Sequence, residues 1–239
     1  MPVTQTHPPG VLDTRVRDSH SRDSHSHDRG VHDARARAPA QRFVIAGGPG
    51  SGKSALIHAL AAAGEIVYEE ASRVLIREQL AQSGRLLPWS NLWGFAQECS
   101  VRMRAQLADS ARRGRCFFDR GLPDLIGYLS HGGQSAPDAW RAASRDYTPV
   151  AFFAPPWREI YVNDAERPQS FAEAQDLSIH VRRAYLDCGF RLVDLVTGSV
   201  ADRLGQVLSF IDALHKESGI HAIGKQSSFH GIHDESDHG

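Results

Sequence analysis

The segment Phe43-Val44-Ile45-Ala46-Gly47-Gly48-Pro49-Gly50-Ser51-Gly52-Lys53-Ser54 carries an apolar strand into a glycine-rich turn, and a helix-forming stretch from Ala55 to Ala61 follows. A G-x-x-x-x-G-K-S run between a strand and a helix is a Walker A phosphate-binding loop. Glycines at 47, 48, 50 and 52 allow backbone conformations that other residues avoid, so that successive N–H groups turn inward toward a polyphosphate. The helix predicted over 53–63 adds its N-terminal dipole and unpaired N–H groups, with Ala55 in its first turn. Within this cradle, Lys53 is expected to reach the β- and γ-phosphates and the Ser54 hydroxyl to ligate Mg²⁺.

Beyond the loop, short apolar runs alternate with longer helical stretches. That pattern belongs to an α/β unit whose parallel strands are joined by crossover helices. Strands are predicted over 42–46, 65–68, 115–119, 149–154 and 191–196. Helices are predicted over 71–82, 91–113, within 123–130, 171–188 and 200–214, with Gly64 and Gly114 as terminators and Pro155-Pro156 stopping the fourth strand. The expected fold is three-layered: a mostly parallel sheet of about five strands with helices on both faces. In such sheets ligands bind beyond the carboxyl ends of the strands, so the residues just after each strand are the candidates for chemistry.

Two acidic segments stand at those ends. Glu69-Glu70-Ala71-Ser72-Arg73 follows the second strand, and Asp119-Arg120-Gly121-Leu122-Pro123-Asp124 follows the third. Phe117-Phe118-Asp119 has the form of a Walker B segment, in which an apolar strand delivers a carboxylate to the Mg²⁺ shell; capping the next helix is the other role open to Asp119. Glu69 and Glu70 offer a general base for a substrate hydroxyl or a further metal contact, while two acids at a helix start also suit the helix dipole. The sequence does not choose between them. Arg120 offers a bidentate fork to a phosphoryl oxygen or an acceptor. In the polar loop over 157–170, Arg158 and Arg167 are placed to neutralise transition-state charge as a lid, against the alternative of ordinary surface ion pairs. Trp89 and Trp93, at the start of the long helix, have a spacing that favours core packing over stacking on an aromatic substrate. Arginines 102, 104, 112, 113 and 115 read as a solvated face.

A net charge of −1 gives no global attraction to nucleic acid or an anionic membrane, and no apolar run approaches a membrane span. Cys99, Cys116 and Cys188 form no C-x-x-C pair; two lie in apolar surroundings, and a reduced, cytoplasmic setting is expected. Residues 1–41 read as a disordered polar tail with little to bury, and 215–239 as a His-rich tail of the same kind. The run Ser19-His20-Ser21-Arg22-Asp23-Ser24-His25-Ser26-His27-Asp28 holds metal-ligand types but no fixed four-ligand spacing, so it is read as solvated tail. A protein partner through the tails is open.

The order GGPGSGKS, YEEASR, FFDRGLPD, APPWREIYVNDAERPQS over about residues 42–214 resembles the NadR-like AAA domain group of predicted ATPases, which includes the nicotinamide riboside kinase domain of bifunctional NAD regulators. The resemblance implies a P-loop NTPase with kinase-like strand order, the Asp119 strand beside the Walker strand, and a small lid. It implies Lys53 and Ser54 for ATP and Mg²⁺, Asp119 for the metal, Glu69 or Glu70 at the acceptor side, and Arg167 in the lid. Asn163-Asp164 does not form the N-K-x-D motif of guanine specificity. Two functions follow as expectations. The first is an ATP-dependent kinase acting on a nucleoside-like hydroxyl acceptor; the second is a nucleotide-binding regulator that signals to a partner through lid ordering.

Overall fold

Five strands form one sheet: β1 (Gln41–Ala46), β2 (Ile66–Tyr68), β3 (Arg115–Asp119), β4 (Val150–Phe153) and β5 (Arg191–Asp194). They lie in the order β2-β3-β1-β4-β5, and every pairing is parallel. In the centre, β1 must bury both faces, which is why its apolar residues run without a break. Phe43 and Ile45 enter a core with Phe117, Phe152, Leu56 and Leu60, whereas Val44 and Ala46 face a second core with Phe118, Phe153, Leu122 and Tyr185. The computed structural model describes residues 40–162 and 170–226, with side chains as far as residue 216. The histidine run over 19–28, the candidate Arg167 and most of both expected tails lie outside the described residues.

Helices α1 (Lys53–Ala62) and α7 (Val200–Gln226) cover the first of these cores. Helices α2 (Ala71–Ala81), α3 (Leu92–Ser110), α4 (Leu122–His131) and α6 (Phe171–Asp187) cover the second. Local signals start them where the side-chain chemistry requires. Asn91 caps α3 by accepting from Gly94 N at 3.0 Å, and Ser170 and Glu173 exchange hydrogen bonds at the start of α6. Register aligns the strand ends: Ile45 sits beside Asp119 and Ala46 beside Phe153. One rim of the sheet therefore carries Gly47, Asp119 and Ala154.

Three features depart from the sequence reading. A helix α5 (Asp138–Ala143) continues into a 3₁₀ turn over Ser144–Asp146 in a stretch for which the sequence predicted no element; Trp140 anchors it in the core. The last helix runs on to Gln226, past the expected end at Leu214. Trp89 and Trp93 are 47% and 37% exposed, so the core-packing expectation fails for both. Trp93 covers Trp140 in a stacked arrangement at 6.3 Å, which uses one of its faces and leaves the other to solvent.

Candidate active site

The phosphate loop opens into a cleft at the sheet rim. Pro49 to Ala55 form one wall, Glu70, Ser72, Arg73, Phe95, Arg120 and Tyr128 form the other, and Ile160 lies at the edge. Gly47 and Gly48 do not line the cleft, but their carbonyls anchor its charged groups. Lys53 folds back on the loop, where its Nζ donates to Gly48 O at 2.6 Å and to Ser51 Oγ at 3.1 Å. Burial, helped by the charge of Arg120, pulls the Lys53 pKa from 10.5 down to about 7, against the pull of Asp119, Glu70 and Asp124. Gly50 and Gly52 both have positive φ, and a Cβ on either would collide, with the Tyr161 ring at 2.3 Å and with Arg203 Nη1 at 2.6 Å. The loop is thus clasped from outside by the 157–162 segment and by α7.

Arg120 organises the opposite wall. Its backbone takes the left-handed conformation, φ 72°, which is costly for a residue with a Cβ and is found where surrounding bonds over-determine it. Here its N–H donates to Ile45 O at 3.1 Å, fixing the chain as it leaves β3. The guanidinium, 4% exposed, donates to Glu70 Oε1 at 2.7 Å, Gly47 O at 2.7 Å and Asp124 Oδ1 at 3.2 Å, and lies over the Tyr128 ring at 5.6 Å. Asp124 is fully buried and also accepts from Gly121 N at 2.9 Å and Tyr185 Oη at 2.6 Å. Burial would raise the Glu70 carboxyl, but Arg120, Lys53 and the Ser72 hydroxyl together hold it down at about 2.

Of the two adjacent acids, the structure brings Glu70 into the cleft and turns Glu69 away: Glu69 is 73% exposed and meets Arg77 at 3.7 Å. Asp119 lies beneath the cleft, buried at the end of β3, and its Oδ1 has no hydrogen-bond partner. Burial, with the charge of Glu70 beside it, pushes its pKa from 3.8 up to about 7. A buried carboxylate oxygen without a donor fits a hard cation, which demands oxygen ligands. Ser54 lines the same cleft. No cluster of three or more His, Cys, Asp or Glu side chains able to hold a metal occurs among the described residues; Mg²⁺ characteristically takes only one or two protein carboxylates and completes its shell with water and phosphate. Arg158 is exposed and rests on the Phe171 ring at 5.2 Å, outside the cleft.

Sequence reasoning assigned no role to Ser72, Phe95, Tyr128, Asp124 or Arg203. Asp124 stands four residues after Arg120, but Arg120 precedes α4 and has a left-handed backbone, so helical spacing does not account for their contact and the pairing was not legible. Phe95, Tyr128 and Arg203 gave no local signal, because each reaches the site from a different helix.

A family profile described as AAA domain matches residues 42–203. This chain belongs to the AAA domain family. Membership makes it a P-loop NTPase, and no curated protein matches it closely enough to count as a relative. Among solved structures it is similar to shikimate kinase from Acinetobacter baumannii, at 15% identity and TM-score 0.52, covering 76% of this chain and 97% of that one. Thymidylate kinase from Candida albicans aligns at 17% identity and TM-score 0.50, covering 74% and 93%, and deoxyadenosine kinase from M. mycoides at 11% and 0.50, covering 73% and 100%. At such identities the likeness is one of fold, and it bears out the kinase-like strand order with β3 beside β1. No helix among the described residues is long and apolar enough to cross a membrane.

Proposed function

We propose that this protein is an ATP-dependent small-molecule kinase that transfers the γ-phosphoryl group to a hydroxyl of a nucleoside-like acceptor, with Mg²⁺ as cofactor. One observation carries the reading: the wall of the cleft that faces the phosphate loop holds a carboxylate, Glu70, bound by Arg120 at 2.7 Å, together with the aromatic side chains of Phe95 and Tyr128. A simple NTPase needs only water at the γ-phosphate; an ionised, oriented carboxylate beside aromatic surface suits the hydroxyl of an organic acceptor. The thymidylate and deoxyadenosine kinases among the similar folds agree in direction.

In this reading the loop N–H groups and Lys53 hold the phosphates, and Arg120 keeps Glu70 ionised and aimed at the acceptor hydroxyl. Glu70 is too weak a base to remove the proton early. Phosphoryl transfer passes through a loose transition state, so orienting the hydroxyl by a strong hydrogen bond is the useful service, with proton transfer late. Ser54 and Asp119 would hold Mg²⁺, which supplies charge neutralisation between the β- and γ-phosphates when bound. Because Lys53 and Asp119 both titrate near pH 7, an arriving polyphosphate favours the charged lysine and a cation favours the charged carboxylate.

The test is incubation with γ-labelled ATP, Mg²⁺ and a panel of nucleosides that includes nicotinamide riboside. Label should pass to an acceptor, and Lys53→Ala should abolish transfer. Tight nucleotide retention or slow phosphate release, with no acceptor labelled, would replace the kinase with the regulatory reading.

A further inference from the structure

Arg203 stands in the first turn of α7, whose start is fixed by reciprocal hydrogen bonds between Ser199 and Asp202, 3.1 Å in each direction. Its side chain runs back beneath the phosphate loop, where Nη1 donates to Gly52 O at 3.3 Å. The residue is 3% exposed and its Nε has no partner. No carboxylate among the described residues pairs with it, and burial alone bears on its acidity, lowering the pKa. Arg120 is as well shielded from solvent, lies deeper in the fold and faces Glu70 and Asp124. A guanidinium largely removed from water without a counter-ion is unfavourable, and methionine, of similar length, would fill the space without that cost.

The atom it touches explains where the charge finds its balance. Gly52 O and the Lys53 N–H belong to one trans peptide, so they point in opposite directions. Gly52 O also accepts from Leu56 N at 3.4 Å as the first carbonyl of α1, so the helix sets the direction of the N–H and the charged donor reinforces it and polarises the N–H. We propose that Arg203 is a positioning residue for the nucleotide: it holds and polarises the Gly52–Lys53 peptide, and its buried charge is balanced when a polyphosphate fills the loop. The proposal rests on the nucleotide-binding reading of the loop and is independent of the acceptor.

The experiment measures affinities of the full chain for ATP, ADP and AMP with Mg²⁺, and ligand-free melting temperatures, for the wild type, Arg203→Met and Arg203→Lys. Arg203→Met is expected to weaken ATP about tenfold or more, ADP less and AMP within about twofold, since the effect follows phosphate charge. It should also melt higher than the wild type without ligand, because an unpaired buried charge is gone. Arg203→Lys should recover part of the ATP affinity. Unchanged ATP affinity in Arg203→Met overturns the proposal alone. A variant that melts lower and loses all three nucleotides equally, or does not fold, makes Arg203 a packing brace and also overturns it. A wild type that binds no nucleotide overturns the reading of the loop and the proposal with it.

Discussion

Replacing Asp119 by Asn should stabilise the ligand-free protein at neutral pH while removing its response to Mg²⁺ with ATP. The magnitude follows from the carboxyl's position beneath the cleft. Burial and the neighbouring Glu70 charge move its pKa from 3.8 to about 7. At about 1.4 kcal/mol per tenfold change, keeping Asp119 fully ionised costs the folded state roughly 4 kcal/mol. An amide preserves the shape without the charge. Since Oδ1 has no donor beside it, an orphaned amide returns about 1–3 kcal/mol of that cost, leaving a net gain of roughly 1–3 kcal/mol at pH 7. A carboxyl with a folded pKa above its unfolded one holds its proton longer in the native state. Its stabilising contribution is complete below about pH 4 and is lost as pH rises to about 7. The windows of the neighbours lie elsewhere. Glu70, lowered from 4.5 to about 2, acts below 4.5, and Lys53, lowered from 10.5 to about 7, acts above 7. Urea unfolding of wild type and variant at pH 5 and pH 7 stays within the Asp119 window and short of that of Lys53, and thermal shift with Mg²⁺ and ATP reads the metal role. A wild type whose stability does not fall between those pH values, together with a variant less stable at pH 7, would refute the reasoning.

Glu70→Gln removes the carboxylate that pairs with Arg120 at 2.7 Å, leaving Asp124 as the remaining partner of a buried cation. Destabilisation of roughly 2–3 kcal/mol is expected in chemical unfolding, together with loss of acceptor turnover. The Glu70 contribution is present above about pH 4.5 and disappears as pH falls toward 2, so wild type and variant should converge in acid. Gly127→Ala tests the closest approach of α4 to α6: an added Cβ would lie 2.5 Å from Val181 Cα and 2.8 Å from Val181 N, backbone that cannot give. A loss of about 2–3 kcal/mol in unfolding free energy is expected, with nucleotide affinity nearly unchanged at temperatures where the variant is folded.

The strand, the loop and the helix start at Lys53 were legible in the chain because their signals are local: an unbroken apolar strand, glycines where φ turns positive, and a lysine at fixed spacing. The carboxylate at the end of β3 was legible for the same reason. Parallel pairing set it beside β1, with Ile45 opposite Asp119. The choice between Glu69 and Glu70 was not legible, since adjacent residues leave a strand on opposite sides and sequence does not say which side faces the cleft. Tertiary structure decided it through Arg120, whose left-handed backbone and three anchors draw Glu70 inward. The aromatic wall of Phe95 and Tyr128, the exposure of Trp89 and Trp93, and the charge of Arg203 behind Gly52, which no carboxylate among the described residues pairs, likewise arise where separate helices meet. Sequence alone determined that a loop of Walker A form joins β1 to α1 over Gly47 to Ser54, because short-range backbone geometry is sufficient for that. Which side chains surround it, and with what protonation, depended on burial and on charges far apart in the chain, quantities that exist only once the sheet and its helices have packed.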